Sequence, residues 1–364
     1  MNEIELKIND TLYGGWKSLQ VDLSMDQMAG AFGFSMTDLF PGHLDKWQIK
    51  MGDECKIVLN NYVLITGYVD QINIGYDDTS HNIQISGRDK TADLVDCSFV
   101  SDKNEWKSLT VASIIKKLCS PFGIIVIIDK SVIVEANKKE KTFKTNEGQT
   151  VSEAIIGLCQ NKAILPLTFG DGKLTLTRAG IMKAKDALVL GQNIKNGNLN
   201  QSDMDRFSNY IVKSQGSGND NLSLSDYTHT TGGFEDKVMT RYRPLVILSD
   251  KKVDDKGAKD LAKWEAGNRA GKSRGLNYGV QGWVQSDGTP WQMNRIVEIK
   301  DNFLNIKQKF LISRLSFSLS EAGRMTSITL VHPGTYELNP QAVEIKGPSD
   351  KEYVPMRYDF LRDR

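Results

Sequence analysis

ISGRDKTADLVDCSF, residues 85–99, runs from a strand pattern through a glycine and a cluster of charge into a short amphipathic stretch. Just before its charged part, NIQIS (82–86) alternates polar and apolar residues with the period of a strand. Arg88, Asp89, Lys90 and Asp93 follow, four charged residues within six positions. Such a cluster can be catalytic, hold a nucleotide, or turn the chain. Consecutive strand residues point to opposite faces, so Arg88 and Asp89 cannot serve one cleft while the strand continues through them. The stretch therefore reads as a junction. The strand closes a first β unit, and Gly87 permits the chain to leave it. Asp93, Leu94 and Asp96 then form a short turn toward a helical region. Arg88 or Asp89 is expected in an ion pair within or between subunits, so that Arg88→Ala weakens the assembly or the domain junction.

Toward the N-terminus, residues 1–100 are mostly β. Ile4, Leu6 and Ile8 alternate with polar residues, and several more alternating runs span 47–87, with the turn cluster YDDTSHN between two of them. A small antiparallel barrel or sandwich is expected. The start is a strand pattern, not a signal peptide, and the longest aliphatic run, IIVII (124–128), is too short to cross a bilayer.

Toward the C-terminus the period changes. Val111, Ile114, Ile115, Leu118 and Cys119 form one helical stripe, and Val151, Ala154, Ile155, Leu158 and Cys159 repeat it. Thr110 and Thr150 precede the stripes as N-caps, and Thr150 with Glu153 matches a capping box. A strand follows each helix, the second as a hairpin on GDG (170–172). Residues 135–148, rich in lysine, read as a solvated connection. Short strands return over 181–250, with a flexible loop at 214–226. Residues 254–275 read as a surface helix with a basic exit, 276–335 as β, and 336–364 as an extended arm. The segments 64–87 and 311–332 echo each other as strand, polar turn, strand, each downstream of a Trp-Gln pair (47–48 and 291–292). Two β domains of one type are expected.

The 364 residues hold 46 Lys plus Arg against 45 Asp plus Glu, so no global field attracts DNA or an acidic membrane. Cys55, Cys97, Cys119 and Cys159 are widely spaced and read as reduced, mostly buried thiols. His43, His81, His229 and His332 are isolated, which disfavours a metal centre. AGNRAGKS (266–273) fits a relaxed phosphate-loop pattern, but a helix precedes it and a strand follows, the reverse of what phosphate cradling needs. A glycosidase would need a pair of carboxylates, for which Glu153 or Glu265 are examples of candidates, yet the first is more simply a cap and the second a partner of Lys263 or Arg269. Tyr242, Trp283 and Trp291 could form a stacking platform, but aromatic residues in β units are more often core or interface.

Gly87, Arg88, Asp89, Asp93, Leu94, Asp96 and Ser98 match a motif of the baseplate hub proteins of contractile-tailed phages, and the chain resembles the Mu-type members. These are related to the late-control D proteins and to the hub part of type VI secretion spike proteins. Residues 108–124 and 282–333 are similar to the same family, in the same order. The resemblance implies an α+β, mainly β fold: a first β-barrel hub domain (1–100), an α/β domain of two helix-strand units (101–180), a second β-barrel (181–335) with an insertion around 214–275, and a C-terminal arm (336–364). It implies a homotrimer with a pseudo-sixfold ring that joins a hexameric tail tube to a trimeric spike and lets DNA pass transiently through its lumen. Other baseplate proteins are further partners. No cofactor, metal, catalytic residue or stable membrane association is implied. The place is the virion tail baseplate, after assembly in the host bacterial cytoplasm. Arg88, Asp89, Asp93 and Asp96 become interface or junction residues, and Tyr353, Pro355 and Tyr358 candidates for contact with the spike. Relatives can carry fused enzymes; none is expected in the residues after 336. A peptidoglycan hydrolase and a carbohydrate- or surface-binding β module are the alternatives.

Overall fold

The computed structural model describes residues 3–8, 11–36, 49–78, 81–101, 104–159, 162, 164–214, 230–249 and 255–336. The first β unit contains β1 (Ile4–Ile8), β2 (Thr11–Tyr13), β3 (Ser18–Ser24), β4 (Ala31–Met36), β5 (Glu54–Leu59), β6 (Tyr62–Tyr76) and β7 (His81–Asp89). They pair antiparallel in the order β3-β4-β7-β6-β5-β1-β2. The period-2 pattern explains the pairing, since it buries one face of each strand: Leu6, Val21, Phe32, Phe34, Ile57 and Ile85 all point into one core.

The next unit is α/β. It runs α1 (Ala92–Asp96), β8 (Glu105–Lys107), α2 (Val111–Cys119), β9 (Val126–Ile128), α3 (Ile133–Ala136), β10 (Thr142–Lys144), α4 (Val151–Cys159), β11 (Leu165–Leu167) and β12 (Leu174–Thr177). Both helical stripes read from the sequence are buried and face each other in one cluster. Thr110 Oγ1 accepts from Ser113 N at the start of α2. At α4 the capping box is complete: Glu153 Oε2 accepts from Thr150 N, and Thr150 Oγ1 accepts from Glu153 N. The lysine-rich 135–148 is more than a connection, because β10 pairs with β8. Phe143 and Trp106 stack across that ribbon at 6.0 Å, and this apolar pair, hidden among lysines, holds it. The GDG hairpin forms as expected, with Gly170 and Gly172 at positive φ between β11 and β12.

The rest comprises β13 (Met182–Lys183), β14 (Leu188–Val189), β15 (Ile194–Gln201), β16 (Asn209–Ser214), β17 (Thr230–Glu235), β18 (Pro244–Ser249), α5 (Asp255–Lys272), β19 (Arg274–Gln281), β20 (Arg295–Asp301), β21 (Ile306–Ser320) and β22 (Gly323–Val331). β16, β17 and β18 form a separate small sheet covered by α5 through Ala258, Ala262 and Ala266. The helix lies so close that a Cβ on Gly232 would stand 2.4 Å from Lys259 N. The phosphate-loop pattern at 266–273 falls almost wholly inside α5, whose amides are committed to the helix.

The remaining late strands repeat the first unit. The order β3-β4-β7-β6-β5 recurs as β15-β19-β22-β21-β20, with the small sheet and α5 inserted between β15 and β19. β6 and β21 are each 15 residues long, and β7 and β22 nine. The long strand of each pair carries a bulge, at Asp70 in β6 and at Ser313 in β21. The echo read from the sequence is thus a structural repeat.

The two units do not close as separate barrels among the described residues. The free edge of β3 pairs with residues 314–319 of β21, so the edge each unit would need for closure joins it to the other. One 14-stranded sheet and one hydrophobic core result.

Candidate functional site

The candidate site is the junction at 85–99, where the first sheet meets the α/β unit. β7 does not end at Gly87, as expected from the sequence, but continues to Asp89, and the chain turns at Lys90 and Thr91 into α1. Gly87 is required by proximity. A Cβ there would lie 2.0 Å from Tyr68 O and 2.5 Å from the Phe32 ring, and one on Gly67 would lie 1.8 Å from Arg88 O. β6 and β7 approach here more closely than side chains permit.

The four charged residues of the motif go separate ways. Arg88 lies on the surface, with Nε donating to Asp70 Oδ2 at 2.9 Å and Nη2 to Asp96 Oδ2 at 2.7 Å. The bonds to Asp96 and then Asp70 raise the affinity of its guanidinium for its proton, and the Arg88 bond lowers the Asp96 carboxyl. Lys90 Nζ donates to Glu54 Oε1 at 3.0 Å and lies over the Tyr68 ring. Asp93 is half-buried, and partial desolvation raises its carboxyl.

Asp89 points inward and is fully buried. Its Oδ1 accepts from Thr91 N at 2.9 Å and lies 2.8 Å from Thr91 Oγ1, while Oδ2 accepts from Thr168 Oγ1 at 3.2 Å. Burial raises its carboxyl to about 6, against the three hydrogen bonds that favour the charge. Thr168 belongs to the β11–β12 hairpin, whose tip also docks on the first sheet: Thr66 N donates to Gly170 O at 2.6 Å. A Cβ on Gly170 would stand 1.7 Å from Leu64 O. On the far side of the junction Leu94 is buried in the α/β core, and Val151 N donates to Cys97 O at 3.0 Å. Asp89 therefore sits buried where two units lock together.

Sequence reasoning missed Asp70 and Thr168. Asp70 had a signal. In YVDQINIGY the apolar phase Val69, then Ile72 and Ile74, slips by one residue, as a bulge demands, and the bulge turns Asp70 toward Arg88. Thr168 had none, because the partner is 79 residues away.

Elsewhere, a cleft of about 270 Å³ opens where the three larger units meet, lined by Val63, Phe169, Met182, Trp291 and Arg295 among others. Trp283 and Trp291 are 2% and 3% exposed, so they offer no platform for a sugar or a base. Glu153 is occupied in its cap, and Glu265 pairs with Arg269 at 3.4 Å. Tyr242 is exposed, while Arg243 covers the Phe207 ring. Cys55, Cys119 and Cys159 are buried thiols outside any disulfide, and Cys97 is an exposed one. Among the described residues no helix is long and apolar enough to span a membrane, and no His, Cys, Asp or Glu side chains gather as a metal site. His43, His229, Tyr353, Pro355 and Tyr358 lie outside the described residues.

Three family descriptions match successive parts of the chain. Residues 3–89 match the N-terminal domain of the Mu phage baseplate assembly protein GpP-like family, and 91–178 the second domain of the baseplate hub protein gp44-like family. Residues 254–339 match the fourth domain of Mu phage baseplate assembly protein GpP. The chain is 30% identical to the baseplate hub protein gp44 of Escherichia phage Mu over 338 residues, covering 90% of this chain and 87% of that protein. It superposes on the 43 kDa tail protein of prophage MuSo2 from Shewanella oneidensis with a TM-score of 0.80 and 31% identity, over 92% of this chain and 99% of the other. The E. coli c3393 protein, a component of the type VI secretion system, shares the fold at a TM-score of 0.52 and 9% identity, over 90% and 76% of the two chains. The chain belongs to the family of Mu-like baseplate hub proteins, structural components of the phage tail.

Proposed function

We propose that three copies of this protein form the hub of a contractile tail, a homotrimer whose six β units make a pseudo-sixfold ring. The observation that carries this reading is the five-strand repeat joined within one chain by β3 and β21. A chain that contains one unit twice lets a threefold assembly match a sixfold partner. The hub joins a hexameric tail tube to a trimeric spike, contacts other baseplate proteins, and forms the channel through which DNA passes. Its work is mechanical and it carries no catalysis. In this reading residues 1–100 and 181–335 are the hub domains, 101–180 the α/β domain between them, and 336–364 an arm whose Tyr353, Pro355 and Tyr358 meet the spike. Arg88, Asp89, Asp93 and Asp96 brace the junction between domains. The chain assembles in the host bacterial cytoplasm and ends in the virion.

Native mass measurement and class-averaged electron micrographs test the reading. A trimer with a central pore is expected; a stable monomer at micromolar concentration counts against it. Clearing of purified cell walls, abolished by one Glu or Asp substitution, would instead favour the hydrolase.

A further inference from the structure

Aligning β6 with β21 on their bulges sets Asp70 on Ser313 and carries Ile72, Ile74 and Tyr76 onto Leu315, Phe317 and Leu319. The partner strands agree, with Ile85 falling on Ile328 and Ile83 on Thr326. The two apolar rows have different fates. Residues 314–319 of β21 are paired with β3, and Leu315 and Phe317 are completely buried. β5 covers β6 only as far as Tyr68, and among the described residues no strand pairs with the edge beyond it. There Ile74 is 67% and Tyr76 82% exposed. An open edge with an apolar row is a template for pairing, which folded proteins cover or blunt.

The counterpart of β3 is β15. It lies beside β19 as β3 lies beside β4, and it ends the sheet with its outer edge unpaired among the described residues. Along the sheet β15 is seven strands from β6, roughly 34 Å at the usual strand spacing, and the two do not pair within the chain. We propose that β15 of one copy pairs antiparallel with residues 71–76 of β6 in the next copy, repeating between chains the contact that β3 and β21 make within one. Donor edge and acceptor edge differ, so the contact is heterologous, and it closes when three copies complete a ring. The inference rests on the homotrimer reading and adds to it the strands and their register.

The register follows from the contact within the chain. Val21 faces Phe317 and Leu19 faces Leu319. Through the β4 and β19 pairings, Val21 corresponds to Leu199 and Leu19 to Gly197. Leu199 then faces Ile74, and Gly197, lacking a side chain, faces Tyr76.

A cysteine pair tests the register. In a Cys97→Ser background, which removes the exposed native thiol, Ile74→Cys with Leu199→Cys places the two sulfurs on directly opposed residues, within about 4.5–5.5 Å between Cβ atoms. Mild oxidation is expected to give a covalent trimer on a non-reducing gel, and Ile74→Cys with Gly197→Cys, off by two residues, much less. In parallel, Ile74→Asp, at an exposed site that leaves the monomer folded, is expected to weaken assembly by at least about tenfold. If the unmodified protein is a trimer by native mass while the aligned pair fails to cross-link, or while Ile74→Asp assembles normally, this interface is wrong and the trimer stands. If the unmodified protein is a monomer, the trimer reading falls and this interface with it.

Discussion

Asp89 and Thr168, 79 residues apart in the chain, meet at 3.2 Å in a place without solvent. The carboxylate comes from the last residue of β7 and the hydroxyl from the α/β hairpin, so the bond ties two units together.

That carboxyl makes stability depend on pH. Its folded value, about 6, lies above its ordinary value of 3.8. The folded state therefore binds the proton more tightly, and the site's contribution is complete below pH 4 and is lost as pH rises through 6. The loss is on the order of 2–3 kcal/mol. Asp89→Asn keeps an acceptor for Thr91 and donates to the Thr168 hydroxyl, so it should remove this slope and match or exceed the native stability at pH 7. Urea unfolding at pH 4.5, 6 and 7 measures it; parallel curves for the two proteins would contradict it.

Arg88→Ala should cost no more than about 1 kcal/mol, because both of its ion pairs are substantially exposed and screened. The loss should shrink in 1 M salt. A much larger drop in denaturation midpoint would mean that Arg88 also pairs across a subunit boundary.

Arg206 and Asp236 are a different case. They are about nine-tenths buried and bound twice, at 2.6 and 3.1 Å. Arg206→Ala strands a buried carboxylate and should destabilise the small sheet under α5 by about 3–5 kcal/mol. Hydrogen exchange should report faster opening of β16 and β17; unchanged protection there would refute it.

Gly87→Ala should prevent proper pairing of β6 and β7, at a cost of roughly 3 kcal/mol or more, since the methyl would meet a carbonyl and a phenyl ring. Gly33→Ala, in the same sheet with nothing within 4 Å, is the control and should change stability by less than about 1 kcal/mol. Thermal melts of the two variants separate contact from propensity.

Much of the local structure was legible. The stripe from Val111 to Cys119 and its repeat from Val151 to Cys159 became buried helix faces, with Thr110 and Thr150 at their caps. The hairpin echo was also visible, because strand length and alternation repeat in both copies. The β8–β10 ribbon was not, since Phe143 is a single apolar residue among lysines and its partner Trp106 is far along the chain.

The residues by themselves determined periods, caps and turns, which depend on neighbours a few positions away. They also carried the resemblance to baseplate hubs. Long-range packing set the rest: β3 joins β21 instead of closing a first barrel, Gly87 is a contact and not an exit, and Asp89 is buried against Thr168. The reason is physical. Edge pairing uses backbone N–H and C=O groups that every residue but proline carries, so the choice of partner leaves little mark on side-chain order. It is made by which apolar rows can be covered together once the chain has collapsed.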